Sequence, residues 1–302
     1  MTLEQLRIFV AVAEREHLTK AAQAFNLTPS AASAAIAALE ARHNTRLFDR
    51  VGRRILLTDA GRNLLVEARA ILAQVKSAEQ MLVDLAGLVR GTLSLVGSQT
   101  VANYWLPEII QRYRLRYPGI TVRIDIGNSD FVVARVRDGS ADLGMVEGEV
   151  DDAALAAVPV AVDGMVMVAP VSHPWVYRPP VTAQDWAQGP WVLREQGSAT
   201  RVVFDSLMNR LGVAPGTPNV VLEYPSNEAI RGAVAAGSGV TVISRRVVES
   251  AIRAGAMAVV NIDIPSRRFL ALRHRERYVT RAAQAFIDLA SGSEPAEDGS
   301  SA

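Results

Sequence analysis

Three groups of residues in this 302-residue chain have types and spacings suited to chemistry. Between Arg42 and Arg54 stand five arginines (Arg42, Arg46, Arg50, Arg53, Arg54) against one acid, Asp49, in a chain whose net charge is only +1. Guanidinium groups gathered in this way neutralise phosphates and release counterions, so the segment points to nucleic acid. Just upstream, Thr19, Thr28, Pro29, Ser30 and Ser33 supply small, mostly hydroxylic side chains of the kind that approach base edges. The third group follows four apolar runs further on: Ser98, Gln99 and Thr100; Gly127, Asn128 and Ser129; Arg194, Gly197, Ser198, Thr200 and Arg201; Ser226 and Asn227. Hydroxyls and amides at helix starts, beside free N–H groups, suit a carboxylate, a phosphate or another small oxyanion. Arg201, in G-S-A-T-R, adds a fork of donors. Ordinary N-capping accounts equally well for any one of these positions taken alone.

No catalytic constellation emerges. His17, His43, His173 and His274 lie far apart, and none has a metal-ligand partner at helical spacing. Gly232, Gly237 and Gly239 fit neither a dinucleotide nor a phosphate-loop pattern, and Ser238 lacks the glycine two residues before it that a nucleophile elbow needs. Glu147, Glu149, Asp151 and Asp152 read as a solvated acidic loop. The chain has no cysteine, which excludes disulfides and thiolate metal sites and fits a reducing compartment. Its N-terminus leads directly into an amphipathic helix, Leu3 to Ala13, without the pattern of a signal peptide. No apolar run approaches the roughly 18 residues of a membrane span. The expectation is a cytoplasmic protein that is not an enzyme and needs no metal, cofactor or membrane.

The first two groups require a compact helical frame. Thr19 caps a short helix whose buried face is Ala21, Ala22 and Phe25; Asn26 takes the left-handed turn and Leu27 plugs the corner. Thr28 then caps a second helix with Pro29 at its first position and Ala32, Ala35, Ile36 and Leu39 inward. Two short helices joined by a tight turn match helix-turn-helix geometry, the second helix lying in the major groove. Leu47-Phe48 and Ile55-Leu56-Leu57 flank Arg50 to Arg54 as a hairpin wing whose tip can enter a minor groove.

Residues 2–61 resemble the N-terminal region of LysR-type transcriptional regulators. The likeness is carried by L-x-x-L-x-x-F at Leu3, Leu6 and Phe9, T-K-A-A at Thr19 to Ala22, S-A-A-S-A-A-I-A-A-L-E at Ser30 to Glu40, and L-F-D-R and L-T-D-A-G downstream. It extends more weakly to about residue 290, and within the family it is nearest the subgroup that includes carbon-fixation regulators. One departure stands out: where the family carries longer side chains, the second helix has Ala31, Ala32, Ala34, Ala35, Ala37 and Ala38. Base reading then rests on Pro29, Ser30, Ser33 and contact of alanine methyls with thymine.

Beyond the wing, Thr58 caps a helix reaching about Val89. Leu64, Ala68, Ile71, Val75, Ala78, Leu82, Leu85 and Val89 alternate spacings of four and three, the repeat of a coiled-coil seam. Ile71, Val75, Leu82 and Leu85 are the expected dimerisation residues. From Thr92 the pattern changes to strand and helix in alternation, which implies a mainly parallel sheet covered on both faces.

The resemblance implies an all-α winged helix-turn-helix domain (1–58) with a long linker helix (59–89), followed by an α/β bilobed domain like a periplasmic binding protein (90–290). Lobe 1 would span about 90–162 and 267–290, lobe 2 about 163–266, and 291–302 a disordered tail. It also implies a homodimer or homotetramer on double-stranded operator DNA with an inverted repeat, RNA polymerase as a further partner, and a small, anionic effector held by Ser98, Gln99, Thr100, Asn128, Ser129, Gly197, Ser198, Thr200, Arg201 and Asn227. The competing expectation, from composition alone, is a solute-binding or enzymatic α/β protein whose N-terminal helices only mediate assembly.

Overall fold

The computed structural model describes residues 1–51, 54–85 and 91–293. They form two compact units: the N-terminal region through the long helix, with Arg137–Ser140 and Glu276–Thr280, and the remainder of the chain. Arg53, Val89 and residues 294–302 of the expected tail lie outside the described residues, as do the side chains of Arg50 and Arg54.

The first unit runs α1 (Leu3–Arg15), α2 (Leu18–Ala24), α3 (Pro29–His43), β1 (Phe48–Val51), β2 (Arg54–Leu57) and α4 (Asp59–Leu85). A capping box starts α1: the Gln5 N–H donates to the Thr2 hydroxyl at 3.1 Å, and the Thr2 N–H donates to Gln5 Oε1 at 2.9 Å. Leu6 and Phe9 of the N-terminal motif are buried with Val12, Ala21, Ala22 and Ile36, whereas Leu3 is exposed.

Two expectations for α2 are corrected. Its cap is His17, whose Nδ1 accepts the Lys20 N–H at 3.4 Å; helical backbone already begins at Leu18, so Thr19 lies inside the first turn. Phe25 is 39% exposed, because it sits at the C-cap where the chain leaves the helix. The turn itself is as expected. Asn26 has φ 54°, the Leu27 N–H donates to the Ala22 carbonyl at 2.9 Å, and Leu27 packs on the core. Thr28 caps α3 by accepting the Ala31 N–H at 3.2 Å.

The wing pairs Phe48 with Leu57 through Val51 with Arg54, antiparallel. Its root is tied to the start of α4. The Thr58 hydroxyl donates to the Arg46 carbonyl at 2.8 Å and accepts the Gly61 N–H at 3.0 Å, while the Thr58 N–H donates to the Leu47 carbonyl at 3.0 Å. This crossing explains the glycine of L-T-D-A-G: a Cβ on Gly61 would stand 2.1 Å from the Leu47 carbonyl oxygen. Gly61→Ala is therefore expected to cost about 1–3 kcal/mol, as overpacking does, and thermal denaturation checks it; an unchanged melting temperature would mean that the crossing yields freely.

The long seam is only partly as expected. Leu64 and Ala68 are absorbed into the core of their own domain, with Leu65 and Leu72, because α4 first packs across α1 and the wing. Further along, Ile71, Leu82 and Leu85 are exposed and Val75 is half-buried.

The second unit continues with β3 (Gly91–Ser98), α5 (Gln99–Tyr104), α6 (Leu106–Arg116), β4 (Ile120–Gly127), α7 (Ser129–Arg137), β5 (Leu143–Glu147), β6 (Leu155–Asp163), β7 (Met165–Ala169), α8 (Pro174–Tyr177), α9 (Ala183–Gln188), β8 (Trp191–Arg194), α10 (Ala199–Arg210), β9 (Val220–Tyr224), α11 (Asn227–Ala235), β10 (Thr241–Ser244), α12 (Arg245–Arg253), β11 (Ala258–Val260), β12 (Arg267–His274) and α13 (Arg281–Ser291). Ser291, expected in the tail, closes this last helix.

One lobe is a five-stranded sheet in the order β4-β3-β5-β12-β6. The other holds β10-β7-β11 and the pair β8-β9, joined where the Val192 N–H donates to the Val240 carbonyl at 2.9 Å and the Val240 N–H to the Pro190 carbonyl at 2.8 Å. The sheets are mixed, not mainly parallel. β12 runs antiparallel to β5 and β6, and β7 antiparallel to β10 and β11. The reason is that β6 and β12 carry the chain out of the first lobe and back into it, side by side. Pro159 is tolerated in β6 because that strand is an edge and bulges beside Leu270. The second lobe's core is aromatic: Trp186 and Trp191 stack at 6.2 Å, and Phe204 meets Trp191 edge-on at 4.7 Å.

Candidate functional site

On α3 the exposed residues are Pro29, Ser30, Ala31, Ala34, Ala37, Ala38, Ala41, Arg42 and His43. Ser30 shares a 2.9 Å hydrogen bond with Thr28, so a hydroxyl pair stands at the helix start above a nearly featureless alanine surface. Ser33 is half-buried: it turns toward the wing side and lines a cavity of about 90 Å³ with Ile36, Glu40, Phe48 and Ile55. Thr19, Thr28 and Pro29 are exposed.

In the second unit the sequence-identified polar residues converge, but most hydroxyls act as caps. Ser98 accepts the Val101 N–H at 3.5 Å, Ser198 the Thr200 N–H at 3.3 Å and Ser226 the Ala229 N–H at 3.3 Å; Asn128 Oδ1 accepts the Phe131 N–H at 2.9 Å. Their helices meet in pairs across the lobes. At α5 and α11, Gln99 Oε1 accepts the Asn227 N–H at 3.0 Å, Gln99 Nε2 donates to the Pro225 carbonyl, and Asn227 Nδ2 donates to the Thr100 hydroxyl at 3.0 Å. At α7 and α10, the Asp130 N–H donates to the Gly197 carbonyl at 3.1 Å and the Ala199 N–H to the Ser129 hydroxyl at 3.2 Å. Gly197 has φ +83°, and a Cβ there would lie 2.6 Å from the Asp130 carboxylate.

Behind these contacts lie two buried arginines. Arg267 Nε donates to Asp163 at 2.9 Å, Nη1 to the Thr200 hydroxyl at 3.3 Å and Nη2 to Glu147 at 3.4 Å. The Ser244 hydroxyl holds the other Asp163 oxygen at 2.6 Å. Arg194 Nη1 donates to Asn227 Oδ1 at 2.6 Å, and its Nε and Nη2 hold Glu195 at 2.8 and 3.0 Å. Burial raises the Glu195 pKa, yet the Arg194 hydrogen bonds and charge, helped by Asn128, leave it below the usual carboxylate value. Thr100 and Thr200 thus each reach an arginine, directly or through Asn227.

Arg267 was not singled out from the sequence. Its signal was an arginine heading the apolar run F-L-A-L, with Asp163 ending V-P-V-A-V: opposite charges where two strands cross between lobes. Arg201, expected to grip an anion, is instead engaged by Asp205 at 3.1 Å, Glu223 at 2.8 Å and the Arg194 carbonyl at 3.1 Å. Nor is the acidic run merely a solvated loop. Glu147 is buried on Arg267, and with Asp130, Glu149, Asp151 and Asp152 it lines a cavity of about 280 Å³ between the lobes.

Residues 3–62 match the family model for bacterial regulatory helix-turn-helix proteins of the lysR family, and residues 86–293 match the LysR substrate binding domain. The chain belongs to the LysR family of transcriptional regulators. This LysR-type chain is 35% identical to the Escherichia coli K12 protein YeiE, named an uncharacterized HTH-type transcriptional regulator, over 95% of this chain and 96% of that one. It is 33% identical to a probable RuBisCO transcriptional regulator of Cyanophora paradoxa, over 95% and 90% of the two chains. The regulatory domain of Synechocystis PCC6803 CcmR, solved in complex with 2-PG, matches 67% of this LysR-type chain and 97% of its own with a TM-score of 0.61 and 26% identity. These LysR-type relatives are regulators and not enzymes. Among the described residues no group of three or more His, Cys, Asp or Glu could hold a metal, and no described helix is long and apolar enough to cross a membrane.

Proposed function

We propose that this regulator acts in the cytoplasm as a dimer or tetramer on an inverted-repeat operator, and that a small anionic metabolite bound between the lobes resets the DNA complex. One observation carries the effector reading: Thr100, Thr200 and Asn227, drawn from both lobes, converge on the buried guanidinium groups of Arg194 and Arg267. The Thr100 and Thr200 hydroxyls accept from Asn227 and Arg267, so each O–H can donate to an oxyanion arriving there. The regulatory domain of CcmR takes a small ligand, 2-PG, which supports effector binding by the corresponding domain here. Contacts to both lobes exist together only when the lobes are close, so differential affinity moves the lobe equilibrium and, through it, DNA affinity or geometry. A coupling of roughly 1–3 kcal/mol changes operator affinity about 5- to 150-fold.

The test is a titration of phosphate, sulfate and short carboxylates against wild type and Thr100→Val, read by melting temperature and operator footprint. Thr100→Val keeps the shape but removes the hydroxyl that Asn227 uses, so the wild-type response is expected to vanish while effector-free DNA binding persists. A response that survives in Thr100→Val assigns the effector elsewhere. If amines rather than oxyanions raise the melting temperature, the acidic cavity around Asp130, Glu149 and Asp151 is the site and the effector is cationic.

A further inference from the structure

The wing and the recognition helix α3 meet at one side chain. Glu40 lies in the last turn of α3 on its half-buried side. A single carboxylate oxygen, Oε1, accepts two successive backbone N–H groups, from Leu47 at 2.7 Å and Phe48 at 3.1 Å. These are the residues at which the chain turns into β1. The two carbonyls just before this point, of Arg46 and Leu47, are held by Thr58 at the start of α4. The short segment 46–48 therefore has its donors fixed by the recognition helix and its acceptors fixed by the linker helix. Leu47, between them, is sunk in the core.

A two-stranded hairpin of four-residue strands has little stability of its own, so its direction is set by its root. Two charge-assisted bonds to one carboxylate are strong enough to set it. The acceptor belongs to the same helix that presents Ser30 and the alanine face.

We propose that Glu40 is the positioning residue that fixes the wing relative to the recognition helix, so that the wing arginines and the α3 face engage one stretch of DNA in register. This rests on the reading that the wing binds DNA. The apolar neighbours of the Glu40 side chain, Ile36, Phe48 and Ile55, allow Glu40→Met to keep volume while removing the acceptor. Glu40→Gln keeps a carbonyl oxygen able to accept the same N–H groups.

The full chain is assayed on operator fragments recovered by selection from random DNA, with each variant in the wild-type and the Arg50→Ala/Arg54→Ala backgrounds. Glu40→Met is expected to lower affinity and to flatten the dependence of log K on log salt by about two, the share of two phosphate contacts. It should also remove protection flanking the core footprint and speed hydrogen exchange at the Leu47 and Phe48 amides. With the wing arginines reduced to Arg53, the same substitution should cost less binding than it does in the wild-type wing, and Glu40→Gln should behave as wild type. Equal losses in both backgrounds, or unchanged exchange at Leu47 and Phe48, would overturn the positioning role. If Arg50→Ala/Arg54→Ala leaves the salt slope unchanged, the wing's part in DNA binding falls, while the exchange rates still decide whether Glu40 holds the root. Should Glu40→Met not fold, Glu40→Asp, which withdraws the carboxylate by one methylene, is read in the same two backgrounds by the same criteria.

Discussion

Leu82→Asp is expected to sediment as a monomer and to lose operator affinity by about two to four orders of magnitude, the advantage that two linked reading heads have over one. The chain leaves Leu82 64% and Leu85 74% exposed, with Ile71 a further turn-multiple back along the same spacing. Leucines on a stripe of alternating four- and three-residue steps suit a partner helix, and each is worth roughly 1.5–3 kcal/mol when fully covered. An aspartate there must be desolvated on both sides of a two-fold interface at once, which doubles its effect. Glu79→Ala, an exposed position off the stripe, is the control and should change neither mass nor binding. A Leu82→Asp protein that sediments with wild type would place the interface elsewhere and remove the rationale for an inverted-repeat operator.

Arg267→Met should lower stability by about 3–5 kcal/mol, the usual cost of stranding a buried charge. Asp163 is fully buried and Glu147 nearly so, and without Arg267 the nearest remaining support for Asp163 is the Ser244 hydroxyl, with Arg246 at 3.8 Å. For a chain of this size that corresponds to a melting temperature lowered by on the order of 10 °C. Neutralising the stranded acids in Arg267→Met/Asp163→Asn/Glu147→Gln should recover most of the loss. Thermal denaturation of the four-protein set, wild type, Arg267→Met, the neutralised pair and the triple variant, decides it. A single variant that melts within a degree of wild type would mean that water already reaches both carboxylates.

The DNA-reading half was legible because its signals are local. Thr28, Pro29, Asn26 and the alternation in Leu47 to Leu57 each act within one turn or one hairpin. Where two local signals competed, the choice failed: an imidazole nitrogen at His17 can cap as a hydroxyl does, and it stood two residues ahead of Thr19. The second unit was legible as alternating elements but not as a site. β6 was hidden by Pro159, which argues against a strand unless the strand is known to be an edge, and edges are a property of the finished sheet. α12 follows β10 with no intervening loop, so its start carries no turn signal. Arg201 was misjudged and Arg267 passed over for the same reason. Whether an arginine is free to hold a ligand depends on its acids: Asp205 lies four residues from Arg201, but its other acid, Glu223, lies 22 away, and Asp163 lies 104 residues from Arg267.

On the proposed reading, in which the effector enters between the lobes, their direct fastening sets the range of concentrations to which the protein responds. A molecule that comes between α7 and α10, or α5 and α11, does not find idle donors; it exchanges with the Gly197 carbonyl, the Ser129 hydroxyl or the Thr100 hydroxyl, which those donors already hold. Each exchange of one hydrogen bond for another of similar strength yields little net free energy. The surplus that remains corresponds to dissociation constants on the order of micromolar to millimolar, not nanomolar. Such a sensor is silent to traces and tracks the level of an abundant metabolite pool. It also discriminates by omission: a near-analogue lacking one acceptor leaves a buried amide such as that of Asn227 without a partner. That costs about 1–3 kcal/mol, enough to shift its threshold about 5- to 150-fold beyond that of the true effector.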